Sequence, residues 1–152
     1  MTTNAYAAKR ALFDRLTELA ALGGGALAGV QVAYAYPGAT AKAECVYGGG
    51  VTFDQPGEDD MVDGKQVLVK EDAQVSVHIR IVQSPPSADG IRDTDERAEA
   101  IGDAIGEALA ANPHLAGGHS VTRILGGQGD YAPTDTQAVS ILSYRISVES
   151  YL

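Results

Sequence analysis

Two segments of the chain carry the letters of a dinucleotide-binding fingerprint, Gly23-Gly24-Gly25-Ala26-Leu27-Ala28 and Gly127-Gln128-Gly129-Asp130-Tyr131-Ala132. That chemistry needs the glycines between a strand and a helix, so that the helix N-terminus faces a pyrophosphate. The first segment follows a helical pattern and precedes a strand; the second follows a strand and leads into Pro133 and another strand. Gly48-Gly49-Gly50 also lacks a following helix. A turn role is the reading for all three, and no cofactor is expected. The acidic segment Asp54–Asp63 invites a calcium reading. Placing Gly64 at the bend of an EF-hand loop puts Asp59 and Asp63 correctly, but it also puts Met61 and Lys70 where oxygen ligands are needed. The segment therefore reads as a solvated loop, with a looser metal site as the alternative, and no metal is assigned. The 3 histidines, His78, His114 and His119, have no partner at metal-ligand spacing, and no serine sits in a nucleophile-elbow context. No catalytic residue is named, and the chain reads as a non-enzyme.

Composition bounds the remaining classes. The 152 residues are expected to form a single domain, 1–152, and at 45% hydrophobic content they can bury a core. The net charge of −9 repels phosphate, so a nucleic-acid-binding module is disfavoured. A surface that nucleic acid only slides past would suit the same charge. The single cysteine, Cys45, lies in a strand-like run and reads as a small buried hydrophobe. Neither a signal peptide nor a membrane-spanning run is visible, so a soluble protein made in the cytoplasm, with no membrane contact, is expected.

The elements that position these residues follow from periodicity. From Val75 to Val82 the residues alternate, with Val75, Val77, Ile79 and Ile81 on one face and Ser76, His78 and Arg80 on the other, as in a half-buried strand. A polar connection with Pro85-Pro86 follows, and then a helix capped by Asp93 or Thr94, with Glu96 completing a capping box for Asp93. Ala98, Ile101, Ile105, Ala108 and Leu109 form its apolar stripe, and Pro113 stops it. Asn4 to Leu22 reads as a first helix with Tyr6, Phe13, Leu16 and Ala20 inward, widened by Leu12 and Leu19, and with Lys9 on the other side. Strands are expected at 30–36, with Val30, Val32, Tyr34 and Tyr36 on one face, and at 42–53, where the glycines mark a bulge, a bend or two shorter strands. Gln66 to Lys70 reads as a short strand or hairpin arm, 120–125 as a strand, 126–136 as a glycine-rich loop, and 138–151 as a long last strand. In that strand Leu142, Tyr144, Ile146 and Val148 face inward, and Ser143, Arg145, Ser147 and Glu149 face out. Helices separated by runs of strands predict α+β, with two helices on one face of a mixed, mainly antiparallel sheet of about five strands. Gly102 and Gly106 share one face of the second helix and allow close approach, either of its own sheet or of a neighbouring subunit.

Two local patterns carry a resemblance. One is Val77-His78-Ile79-Arg80-Ile81-Val82, a polar connection, then Asp93-Thr94-Asp95-Glu96-Arg97-Ala98-Glu99 opening the helix; the other is the ending Tyr144-Arg145-Ile146-Ser147-Val148-Glu149-Ser150-Tyr151. With the order of elements, they make most of the chain resemble the tail terminator (tail completion) proteins of long-tailed bacteriophages. The resemblance implies two helices on a mixed sheet and a homohexameric ring that caps the tail tube, ends its polymerisation and offers the head-joining surface. The implied partners are further copies of the chain, the major tail tube protein and the head–tail connector protein, while DNA passes through without specific binding. The implied location is the virion tail or neck, after assembly in the host cytoplasm. On this reading the loop with Asp54, Glu58, Asp59, Asp60 and Asp63 contacts the lumen or the tube, or is merely solvated. Arg80, Gly102, Gly106, Arg145 and Glu149 are candidates for subunit contacts, since cyclic rings join two different surfaces of each protomer. The rival readings are another phage head–tail connector or neck protein, a small α+β enzyme, and a ligand-binding module.

Overall fold

The structure, a computed structural model, describes residues 3–54, 61–62, 65–66, 70–132 and 134–151. In chain order the elements are α1 (Ala5–Ala21), β1 (Gln31–Ala33), β2 (Glu44–Asp54), β3 (Met61–Val62), β4 (Lys65–Gln66), β5 (Lys70–Gln83), α2 (Gly90–Ala111), β6 (Ser120–Tyr131) and β7 (Ala138–Tyr151). Five strands form one sheet in the order β1-β2-β5-β7-β6, and β3 pairs with β4 as a separate hairpin. The β1–β2 pair is parallel and the other pairs of the main sheet are antiparallel. The architecture is α+β, two helices on a mixed, mainly antiparallel sheet, as the periodicity predicts.

Strand β5 sits at the centre because its alternation makes one face apolar from Ala73 to Ile81. Ala73, Val75, Val77, Ile79 and Ile81 are buried, and across the ladders they meet Val46 on β2 and Tyr144, Ile146 and Val148 on β7. Ala5, Ala8, Leu12 and Leu16 of α1 and Ala98, Ile101, Ile105 and Leu109 of α2 close over this face in one cluster. Each large aliphatic side chain so buried contributes about 1.5–3 kcal/mol. Polar groups lock the layers together at defined points. Arg97 on α2 grips Glu44 on β2 with Nε–Oε2 and Nη2–Oε1 distances of 2.6 and 2.9 Å, and Nη2 also donates to the Ala26 carbonyl at 2.7 Å. Thr94 Oγ1 lies 2.6 Å from Ser140 Oγ on β7, and Ser140 Oγ donates to Asp95 Oδ1.

Several expectations are corrected. In α1, Leu12, Phe13 and Leu16 are buried as the spacing predicts, but Tyr6 is 60% exposed and Lys9 is buried. The Lys9 stem packs beside Gly48, its Nζ donates to the Gly49 carbonyl at 2.9 Å and stands 3.9 Å from the centre of the Tyr34 ring, so charge and stem are both accommodated. Strand β1 ends at Ala33, and the chain turns, so Tyr34 meets Phe13 on the helix side while Tyr36 meets Tyr47. Helix α2 begins at Gly90, one turn before the expected cap. The Asp93 N–H already donates to the Asp89 carbonyl, its carboxylate accepts from Ser87 Oγ, and Thr94 is buried rather than capping. Residues 126–131 are strand, not loop: β6 runs through Gly126-Gly127 with a register shift between Leu125 and Gln128. Glycine is required there, because a Cβ on Gly127 would lie 1.7 Å from the Ser143 carbonyl oxygen. The triglycine in β2 is a bulge within one strand, with the register shift between Gly48 and Val51.

Candidate interaction surface

The two helices leave the opposite face of the sheet to the even-numbered residues of β5 and the odd-numbered residues of β7. That face carries Gln74, Ser76, His78 and Arg80 beside Ser143, Arg145, Ser147 and Glu149, the outward set that alternation predicts. Arg145 is exposed and Nη1 donates to Gln74 Oε1 at 3.1 Å. Arg80 stands 5.8 Å from the Tyr36 ring centre, and the Tyr36 ring packs in turn against that of Tyr47 at 5.0 Å, tilted by 58°. Burial under this edge cluster pushes the Cys45 thiol up, with Arg80 opposing in part, which keeps it a buried neutral group.

His78 packs into the same cluster. Its ring is 5.1 Å from that of Tyr47, and Nδ1 lies 2.7 Å from Ser143 Oγ. A Cβ on Gly49 would fall 2.5 Å from Nε2, so the bulge glycine makes room for the imidazole. Burial holds the His78 pKa below its ordinary value. A second such pair, His119 Nδ1 and Ser150 Oγ at 2.5 Å, is buried, and burial lowers the His119 pKa also. Sequence spacing gave no sign of either pair, since 65 residues separate His78 from Ser143 and 31 separate His119 from Ser150. A histidine–serine contact becomes a nucleophile only when a further group orients the imidazole and donors await an oxyanion. Among the described residues neither ring has a carboxylate partner.

The remaining candidates separate. Asp54 is exposed at the end of β2 opposite Asp72 on β5. Both line a groove of ≈ 480 Å³ with Lys70, Arg123 and Glu149. Glu149 is paired within the chain, its Oε2 3.2 Å from Lys70 Nζ. Glu58, Asp59, Asp60 and Asp63 lie outside the described residues, as does the calcium reading that rested on them. Gly102 and Gly106 face the chain's own sheet: a Cβ on Gly102 would meet Leu142 Cδ2 at 3.3 Å and Ile79 Cδ1 at 3.5 Å, and one on Gly106 would meet Ile124 Cδ1 at 3.4 Å. A second groove of ≈ 620 Å³ runs between the end of α1, the Gly25–Leu27 turn and α2, with Leu22 exposed at its rim.

The site has the character of a polar, aromatic-edged sheet face. The chain shares its fold with a virion component. That protein, a chain of the virion of a native gene transfer agent (GTA) particle, is 19% identical, with a TM-score of 0.51 over 93% of this chain and 94% of its own. At this identity the likeness is one of fold. No protein-family model and no curated protein matches the sequence. Among the described residues no helix is long and apolar enough to cross a membrane.

Proposed function

We propose that the chain is a structural virion-assembly protein. Its copies close into a homohexameric ring that caps the tail tube, ends tube polymerisation and offers the surface for head joining. The observation that carries this reading is the likeness of fold to a virion chain over nearly the whole of both proteins. The resemblance to tail terminators supplies the place within the particle. A net charge of −9 suits a ring through which DNA must pass without adhering. The acidic residues Asp54, Glu58, Asp59, Asp60 and Asp63 would line the lumen or meet the tube, while Arg80, Arg145 and Glu149 on the uncovered sheet face would meet the next subunit.

The test is the native mass of the purified protein over a concentration series, with negative-stain images alone and with tail tubes. Six-subunit rings, or recruitment to one end of the tube, support the reading. A monomer that neither assembles nor binds tubes overturns it. Binding to the head connector without capping of tubes would move the protein to another part of the neck. The acidic segment is tested by Asp59→Lys with Asp60→Lys: tail completion or DNA passage should fail, and normal infectivity would remove the segment from the mechanism.

A further inference from the structure

The stretch of the uncovered sheet face around Arg80 and Arg145 is basic, with the carboxylates of Asp72 and Glu149 further along the strands, and an acidic row lies on the opposite side of the molecule. On the uncovered sheet face, Arg80 and Arg145 make no ion pair among the described residues; their contacts are Tyr36 and Gln74. On the far side, the solvent stripe of α2 carries Glu99, Asp103 and Glu107, all exposed and none in an ion pair among the described residues. Like charges at successive i,i+4 positions destabilise an isolated helix, so this row is at odds with local helix stability. The preceding turn shows the usual remedy, with Arg92 Nε 3.2 Å from Glu96 Oε1. The row is better suited to cations supplied from outside the chain.

The spacings agree as well. Arg145 stands opposite Ser76 in the ladder, so Arg80 lies four residues further along β5, which is ~13 Å of strand. Glu99 and Glu107 are two helical repeats of four apart, ~12 Å along the axis. A helix laid along the strands would bring both ends of the acidic row to the two arginines. We infer that the sheet face carrying Arg80 and Arg145 receives the α2 stripe Glu99–Asp103–Glu107 of the neighbouring copy. The contact is head-to-tail, because each copy offers a different surface on each side, as closure into a ring requires. This inference rests on the ring reading and names the interface within it.

A charge exchange tests it. One variant carries Arg80→Glu and Arg145→Glu; the other carries Glu99→Lys, Asp103→Lys and Glu107→Lys. Each alone should raise the concentration for half-assembly at least ~tenfold, since like charges then face one another across every contact. An equimolar mixture should restore rings of alternating variants, because every contact in them is again between opposite charges. Restoration also shows that both variants fold. If either variant alone assembles at the wild-type concentration, or if the mixture of two folded variants stays dispersed, the interface is wrong although the wild-type ring stands. If the wild type itself neither assembles nor caps tubes, the ring reading falls and the interface with it.

Discussion

Gly127→Ala should be the most damaging single-methyl change in the sheet. The added Cβ would lie 1.7 Å from the Ser143 carbonyl oxygen and 2.7 Å from Tyr144 Cα, both backbone atoms of β7. An ordinary contact needs ~3.5 Å, so the two backbones must part by roughly 1.8 Å. Neither side yields cheaply, because β7 is paired on its other side with the whole of β5. The pairs flanking the site, Leu125 with Arg145 and Gln128 with Ser143, would be strained or lost, at about 1 kcal/mol per hydrogen bond. With overpacking added, the cost is about 2–4 kcal/mol, capped by the cost of peeling the edge strand β6 away altogether. For a chain of this size, ~3 kcal/mol lowers the melting temperature by ~9 °C. Gly126→Ala and Gly129→Ala are the matched controls, since a Cβ at either position meets nothing within 4 Å. Each should shift stability by no more than ~0.5 kcal/mol. Thermal melts and urea titrations of the three variants at one protein concentration decide the matter. A Gly127→Ala protein melting within about 2 °C of Gly129→Ala would refute the close approach of β6 to β7.

Other expectations concern the polar ties. Glu71 is 1% exposed and accepts from Thr3 Oγ1 at 2.9 Å and from the Asn4 N–H at 2.8 Å, so a carboxylate from the central strand closes the N-terminus of α1. Glu71→Ala should cost ~2–3 kcal/mol and release amide-exchange protection in the first turn of α1, while Glu71→Gln, which keeps an acceptor, should cost less than half as much; equal losses would place the effect in packing alone. Arg97→Met should cost ~1–2 kcal/mol, discounted for the partial exposure of the pair, and a double-mutant cycle with Glu44→Gln should return a coupling near 1 kcal/mol; a coupling near zero would show the fork to be idle. The histidines add a pH dependence. His78 and His119 both have folded-state pKa values lowered by burial from 6.5. The unfolded chain therefore binds more protons just below that value, so their stabilisation is complete above it and is lost as pH falls from 6.5 toward the lowered values. Urea titrations between about pH 7 and pH 5 should show this decline, and a His78→Gln, His119→Gln protein should show less of it; an unchanged slope would remove both imidazoles as the cause.

The candidate surface was half legible in the sequence. Period two along β5 and β7 puts Arg80 and Arg145 on the face away from the core, and period 3.6 along α2 puts Glu99, Asp103 and Glu107 in solvent. What faces them is not written in either period. The alternation that turns Glu149 outward says nothing of Lys70, the residue it pairs with across the ladder end. Likewise Gly102 and Gly106 announce a close approach, but only packing shows that Leu142, Ile79 and Ile124 make it.

By itself the sequence determined the elements whose pattern is local. The central strand, the last strand from Ala138 to Tyr151, both helices and the α+β order all follow from spacing along the chain. It misplaced, or gave no reading of, residues whose state depends on partners distant in sequence. Lys9 is buried because Gly49 and Tyr34 receive its ammonium. Glu71 is buried because the N-terminus of α1 ends above it. Helix α2 starts early although glycine disfavours it, because α2 packs on β5 and β7. Residues 126–131 continue as strand because β7 offers a ladder that outweighs the glycines' preference for turns. Periodicity reports which side of an element is apolar. Only the tertiary structure supplies the particular partner that makes a buried charge or an interior glycine favourable.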